Sequence, residues 1–143
     1  MHTHIVHAHP EPKSYNGALT RTAEKALIQH GGSVTINDLY NPAFDPVEGG
    51  QLYASRVAGD HFAPLAEQRH AWRTDSLPKD VLTEIGNLKQ ADLVILQFPL
   101  WWHSAPAVLK GWMDRVFVSG GLYSSQMRYG TGYFSGRRAL VSV

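Results

Sequence analysis

An open α/β sheet with parallel strands and helices on both faces, a doubly wound sheet, is the fold this sequence predicts. Two observations carry that expectation. Along the 143 residues, apolar positions switch repeatedly between the alternation of a strand and the longer repeat of a helix. The run Asp92-Leu93-Val94-Ile95-Leu96-Gln97-Phe98 is almost continuously apolar, as a central parallel strand buried on both faces must be.

Thr3–Ala8, centred on Ile5 and Val6, reads as the first strand and stops at His9-Pro10-Glu11-Pro12. Leu19, Ala23, Ala26 and Leu27 then recur at helical spacing, and Gly31-Gly32 supplies a left-handed exit. Ser33–Asn37 alternates as a second strand, with Val34 and Ile36 on one face. The stretch Asn41–Ser76 has no clear period, although Leu52–Val57 and Leu65–Trp72 can carry short helices. Pro78 opens a helix bearing Val81, Leu82, Ile85 and Leu88. After the apolar strand, a helix from Ala105 turns Leu109, Trp112, Met113, Val116 and Phe117 inward and closes at Gly120-Gly121. Arg138–Val143 is the last strand.

A chain of this length predicts about one domain, residues 1–143, with enough mass for a core. Thirteen basic and twelve acidic residues leave a net charge of +1, which argues against a nucleic-acid binder held by counterion release. With no cysteine there is no disulfide framework, thiolate metal site or cysteine nucleophile, which suits a reducing, cytoplasmic compartment. The apolar run at Leu93–Leu96 is too short to cross a bilayer, and Met1-His2-Thr3-His4 lacks the layout of a signal peptide.

Sheets of this type bind ligands beyond the carboxyl ends of the strands, where strand order reverses. In one of the two common orders that place lies between the first and third strands, which directs attention to the loops His9–Tyr15 and Pro99–Ser104. In the first loop Ser14 or Asn16 can cap the following helix, whose N–H groups and dipole favour a phosphate, with His9 as a further donor. Ordinary capping without a ligand is the competing explanation. Neither glycine fingerprint of the common nucleotide sites is present. In the second loop Trp101, Trp102 and His103 offer flat rings to a flat ligand, or else seal the end of the core. His2, His4, His7 and His9 resemble a metal cluster by number, but no partner ligand motif accompanies them, so no metal site is expected. Asp114 and Arg115 are expected to form a solvated or interface pair.

The segments Ala8-His9-Pro10 with Ser14-Tyr15-Asn16, and Ala91–Phe117 with its Phe98-Pro99-Leu100-Trp101-Trp102 and Leu109-Lys110-Gly111-Trp112-Met113-Asp114-Arg115, resemble the NAD(P)H:quinone oxidoreductase family of flavodoxin-like flavoproteins. That family includes animal-type quinone reductases, bacterial modulators of drug activity and ancillary subunits of potassium-efflux transporters. The stretch Asn41–Ser76 is similar to an insertion of the animal-type enzymes, which use FAD rather than the FMN of compact relatives. The resemblance implies that His9, Ser14, Tyr15, Asn16 and Ala18 hold the flavin phosphates. It implies that Pro99, Leu100, Trp101, Trp102 and His103 run along the flavin ring, with Trp102 and His103 walling the substrate pocket. Tyr123 matches a tyrosine that caps the quinone pocket of the partner subunit in a homodimer. The implied reaction is ping-pong, with hydride passing from NAD(P)H to flavin N5 and then to a quinone, or to azo or nitro compounds.

Two rival roles stand beside this one: the resemblance also implies a non-catalytic flavin- or nucleotide-binding subunit peripheral to a membrane transporter, and the histidines leave a weaker option, a histidine-ligated metalloenzyme. Trp101 stands where the animal-type enzymes carry a polar residue, and His103 where an aromatic ring is usual. The sequence stops at Val143, within the fourth strand of the family pattern, so a flavodoxin-like sheet truncated after its fourth strand is expected.

Overall fold

The computed structural model describes residues 1–143. In chain order it forms β1 (His2–His7), α1 (Tyr15–Gln29), β2 (Ser33–Asp38), α2 (Pro64–Arg73), α3 (Lys79–Gln90), β3 (Leu93–Gln97), α4 (Ala107–Val116) and β4 (Arg138–Ser142). The four strands make one parallel sheet in the order β2-β1-β3-β4. Each expected strand is present within a residue or so, because strand alternation and burial are local signals.

Register decides what each strand residue meets. Ile5 is paired with Ile36 on one side and with Ile95 on the other, and Ile95 is paired with Leu140. Odd positions of β1 face α1: the His7 ring bonds the Thr20 hydroxyl of that helix at 2.9 Å. Even positions face α3 and α4, where Val6 joins Val81, Leu88, Leu109, Trp112 and Val116 in the main core. Coverage thins at the edge, and Leu140 and Val141 of β4 are 49% and 59% exposed.

On α1 the buried residues are Asn16, Gly17 and Thr20, while Ala26 is exposed. Of the expected apolar stripe, Leu19, Ala23 and Leu27 are half-buried and Ala26 faces solvent, so full burial is confined to the first turns of the helix. A Cβ on Gly17 would collide with the Pro12 carbonyl, so glycine lets the entry loop close on the helix.

Core polarity is concentrated at Glu84 of α3. Its Oε2 accepts from Trp112 Nε1 at 2.8 Å and lies 3.6 Å from His4 Nε2, while Oε1 accepts from Asn87 at 3.1 Å. Burial alone raises this carboxyl, but the donors His4, Trp112 and Asn37 outweigh it and hold the group below its ordinary value. The other nitrogen of His4 meets Thr35 Oγ1 at 2.8 Å, and the His2 ring meets Ser33 Oγ at 2.9 Å. His2 and His4 thus share the face of β1 that meets α3 and are engaged with hydroxyls and a carboxylate, while His7 points to the opposite face and meets Thr20.

The irregular stretch Asn41–Ser76 is pinned by charge. Arg115 is only 2% exposed and grips both oxygens of Asp80 at 2.7 and 3.1 Å, plus the Asp45 carbonyl at 2.7 Å. Its guanidinium also lies 4.9 Å from the centre of the Phe44 ring. The expected Asp114–Arg115 pair is therefore split. Asp114 faces solvent and bonds Lys110 one turn back at 2.6 Å, because neighbours in sequence point to different sides of a helix. Leu52–Val57 forms no α-helix; one 3₁₀ turn at Gly50–Leu52 precedes a bend, whereas the helix expected near Leu65–Trp72 is α2.

A second clamp closes this stretch. Glu67, 1% exposed, accepts from Arg56 Nε at 3.0 Å and from the Val57 N–H at 2.9 Å. The Val57 N–H holds its carboxyl below the ordinary value of 4.5, with Arg56 assisting and burial opposing. A carboxyl depressed on folding stabilises the fold fully above its unfolded value and loses that contribution as pH falls through its folded value. The urea midpoint of the wild type is therefore expected to drop more steeply than that of Glu67→Gln as pH is lowered below about 4.5. Parallel acid profiles for the two proteins would contradict this role.

Candidate functional site

The β1 and β3 exits stand side by side because the strands are paired from Thr3–Leu93 to His7–Gln97, and the Ala8 N–H continues that ladder to the Gln97 carbonyl at 2.9 Å. The chain leaving β1 carries His9, and the chain leaving β3 carries Trp101. Their rings meet with centroids 6.0 Å apart, tilted by 59°. The two loops singled out in the sequence therefore adjoin at the carboxyl end of the sheet, and the surface they share is the candidate cleft.

On the β1 side, Ser14 caps α1 by accepting the Gly17 N–H at 3.0 Å, and no acidic residue occupies the first turn. The helix dipole is left uncompensated toward the cleft, which suits an anion. The Glu11 N–H points at His9 Nδ1 from 3.0 Å, while the Glu11 carbonyl lies 3.2 Å from the same atom. Because the backbone fixes the direction of that N–H, Nδ1 accepts and the proton resides on Nε2, a donor free for a ligand. Tyr15 is 74% exposed, whereas Asn16 is buried with Oδ1 accepting from Gln97 Nε2 at 2.7 Å. Ala18 spends its N–H on the Ser14 carbonyl, so only its methyl remains for contact.

On the β3 side the chain turns back tightly. The Trp101 and Ser104 backbones exchange two hydrogen bonds of 3.0 Å, and the central residues Trp102 and His103 take φ values of 49° and 58°. Both left-handed residues carry bulky side chains, at a cost of roughly 1–2 kcal/mol each. This is the geometry of a type I′ turn, for which Asn-Gly is the usual signal. Nothing in Trp102-His103 advertised it. The N–H groups of Trp102 and His103 have no acceptor in the chain, so the turn presents two backbone donors. Leu100, Trp101 and Trp102 are 60%, 43% and 97% exposed, while Pro99 is half-buried at the strand exit.

Tyr123 lies elsewhere. It follows α4, whose direction is opposite to the strands, and lines a groove of about 760 Å³ with Phe117, Leu122, Tyr133 and Phe134. Within one chain it does not join the Trp101–His103 turn. Gln97, by contrast, bonds Asn16 beside the first loop, and in the sequence it is only one polar residue within the apolar run Asp92–Phe98.

A family model described as a flavodoxin-like fold matches residues 1–143. The chain belongs to the flavodoxin-like family. This flavodoxin-like chain is 40% identical over 140 residues to mouse ribosyldihydronicotinamide dehydrogenase (quinone), the match covering 97% of it and 61% of that protein. It is 36% identical to NAD(P)H dehydrogenase (quinone) 1 of Cavia porcellus, covering 97% of the chain and 51% of the relative. Among solved structures it matches a candidate quinone reductase from Klebsiella pneumoniae with a TM-score of 0.90 and 37% identity, over 99% of the chain and 57% of the other. The chain thus spans between half and two thirds of the length of these relatives. The four-stranded flavodoxin-like sheet is borne out, as is the resemblance to quinone reductases. No helix is long and apolar enough to cross a membrane.

Proposed function

We propose that the chain carries the flavin half of an NAD(P)H:quinone oxidoreductase. The observation that supports this most directly is the cleft in which His9 and the cap of α1 meet the Trp101–Ser104 turn, on a chain whose relatives are named for quinone reduction.

The residues present fit a flavin. The positive end of α1, with the Ser14 cap and the His9 Nε2–H, suits its phosphates, with Tyr15, Asn16 and Ala18 completing that wall. The unpaired N–H groups of Trp102 and His103 suit a carbonyl edge of its ring, and Pro99, Leu100 and Trp101 suit a ring face. FAD is the form proposed, on the likeness of Asn41–Ser76 to the animal-type insertion, with FMN as the alternative. Bound there, a flavin supplies the redox chemistry, taking hydride from NAD(P)H and passing it to a quinone. The chain's own work is to orient and to shield. The turn donors favour negative charge where the ring edge lies, and the indoles exclude water from the acceptor face.

Trp102, almost wholly exposed in one chain, needs a cover. A two-fold partner bringing its own Tyr123 segment over Trp102 and His103 provides one, so a cytoplasmic homodimer built from single-domain chains is the assembly proposed.

Titration of the purified protein with FAD and FMN tests this. Uptake of a yellow flavin band, bleached by NAD(P)H and restored by a quinone, is the expected result. Protein that takes up neither flavin refutes the proposal. A flavin that binds but is never bleached favours the ancillary-subunit alternative.

A further inference from the structure

One buried amide ties the two sides of the cleft together. Gln97, 2% exposed, donates from Nε2 to Asn16 Oδ1 at 2.7 Å and to the Ser142 carbonyl at 3.2 Å. Its own carbonyl receives the Ala8 N–H. A single residue therefore contacts the exit of β1, the first turn of α1 and the end of β4.

The orientation of these amides is dictated by one atom. A backbone carbonyl can only accept, so the Ser142 oxygen requires the NH₂ end of Gln97. That same NH₂ then requires an acceptor from Asn16, which fixes Oδ1 toward Gln97 and turns Nδ2 away. Nδ2 has no partner in the chain, yet it is not among the buried unpartnered atoms, so it remains reachable from outside. Asn16 sits in the first turn of α1, where the cleft already favours an anion.

We propose that Gln97 is a positioning residue that sets the Asn16 amide with its NH₂ as a donor toward the cofactor phosphates. This rests on the reading of the cleft as a flavin site. The relay from Ser142 through Gln97 to Asn16 adds a fixed donor beside the helix terminus, and it couples the placement of that donor to the spacing of β1, β3 and β4. Exchanging Gln97 for glutamate reverses the polarity. A carboxylate there accepts only, so Asn16 must rotate, donate inward from Nδ2 and present Oδ1 to the cleft. Methionine fills the same space, adds no charge and imposes no orientation.

Side-chain amide NMR of the flavin-free protein reads the orientation directly. In the wild type the Gln97 NH₂ protons are expected to exchange slowly with solvent, and those of Asn16 quickly. In Gln97→Glu the Asn16 protons become the slow pair. FMN and FAD affinities, read by fluorescence quenching, are expected to weaken about tenfold in Gln97→Glu and about threefold in Gln97→Met, since one charge-assisted hydrogen bond is lost or loosened. A thermal midpoint beside each affinity separates this from unfolding. If Gln97→Glu does not fold, Asn16→Asp decides, because it still accepts from Gln97 but presents no outward donor and must also weaken binding about tenfold. Slow Asn16 protons in the wild type, or unchanged flavin affinity in folded variants, would overturn the proposal. Wild-type protein that binds no flavin would instead remove the functional reading and the affinity role with it, while the amide spectrum still decides the orientation.

Discussion

Trp112→Ala is expected to leave the chain largely unfolded. The indole is fully buried among Leu88, Leu109 and Val116, and packs edge-on against Phe117 at 5.6 Å. Truncating a buried tryptophan costs roughly 3–5 kcal/mol. The same change strips Glu84 Oε2 of its donor at 2.8 Å, leaving a buried carboxylate short of a partner at a further cost of about 1–3 kcal/mol. Together these approach the whole stability of an ordinary domain, about 5–15 kcal/mol. Trp112→Phe weights the two contributions differently, keeping most of the buried volume while removing the N–H donor to Glu84. Urea unfolding followed by circular dichroism should therefore rank wild type above Trp112→Phe and both far above Trp112→Ala. Because α4 also anchors the end of the Pro99–Pro106 loop, loss of flavin uptake should accompany the loss of folding. A Trp112→Ala midpoint equal to that of the wild type would mean that the indole is not part of the core.

The double change Trp102→Asn with His103→Gly is expected to stabilise the chain and impair it. Asparagine and glycine accept the left-handed conformation that Trp102 and His103 occupy under strain, so the thermal midpoint should rise by about 3–6 °C for each kcal/mol recovered. Both backbone N–H groups are kept, so flavin affinity should change less than about threefold if those donors hold the ring edge. Both side-chain rings are gone, so kcat/KM for a quinone should fall at least about tenfold if they wall the acceptor pocket. Trp102→Pro makes the converse change, removing one N–H and forbidding positive φ, and should lose flavin first. Unaltered quinone turnover in the Asn-Gly protein would show that the rings only decorate the turn. A lower thermal midpoint would show that the turn is not strained.

Much of the architecture was legible because its signals are local. The Ser14 cap, the left-handed exit at Gly31 with φ of 77°, and Pro78 at the start of α3 act within a turn of themselves. The apolar run of β3 states its own burial. The two cleft loops were legible too, because the ends of paired strands must lie together once the sheet forms. The resemblance added roles for His9 and Trp101–His103 that composition alone left open between ligand binding and core sealing.

What only the tertiary structure decided is which distant side chains those elements bring into contact. Arg115 looks like one more surface charge on a helix until the loop at Asp45, 70 residues earlier in the chain, closes over it. Gln97 looks like the polar end of a strand until Asn16, 81 residues away, turns its amide oxygen toward it. Trp102 and His103 carry no glycine or asparagine to announce a left-handed turn; the two hydrogen bonds between Trp101 and Ser104 impose it. Periodicity and capping are written in neighbours a few residues apart, whereas these contacts depend on sheet register and helix packing, which the whole chain determines at once.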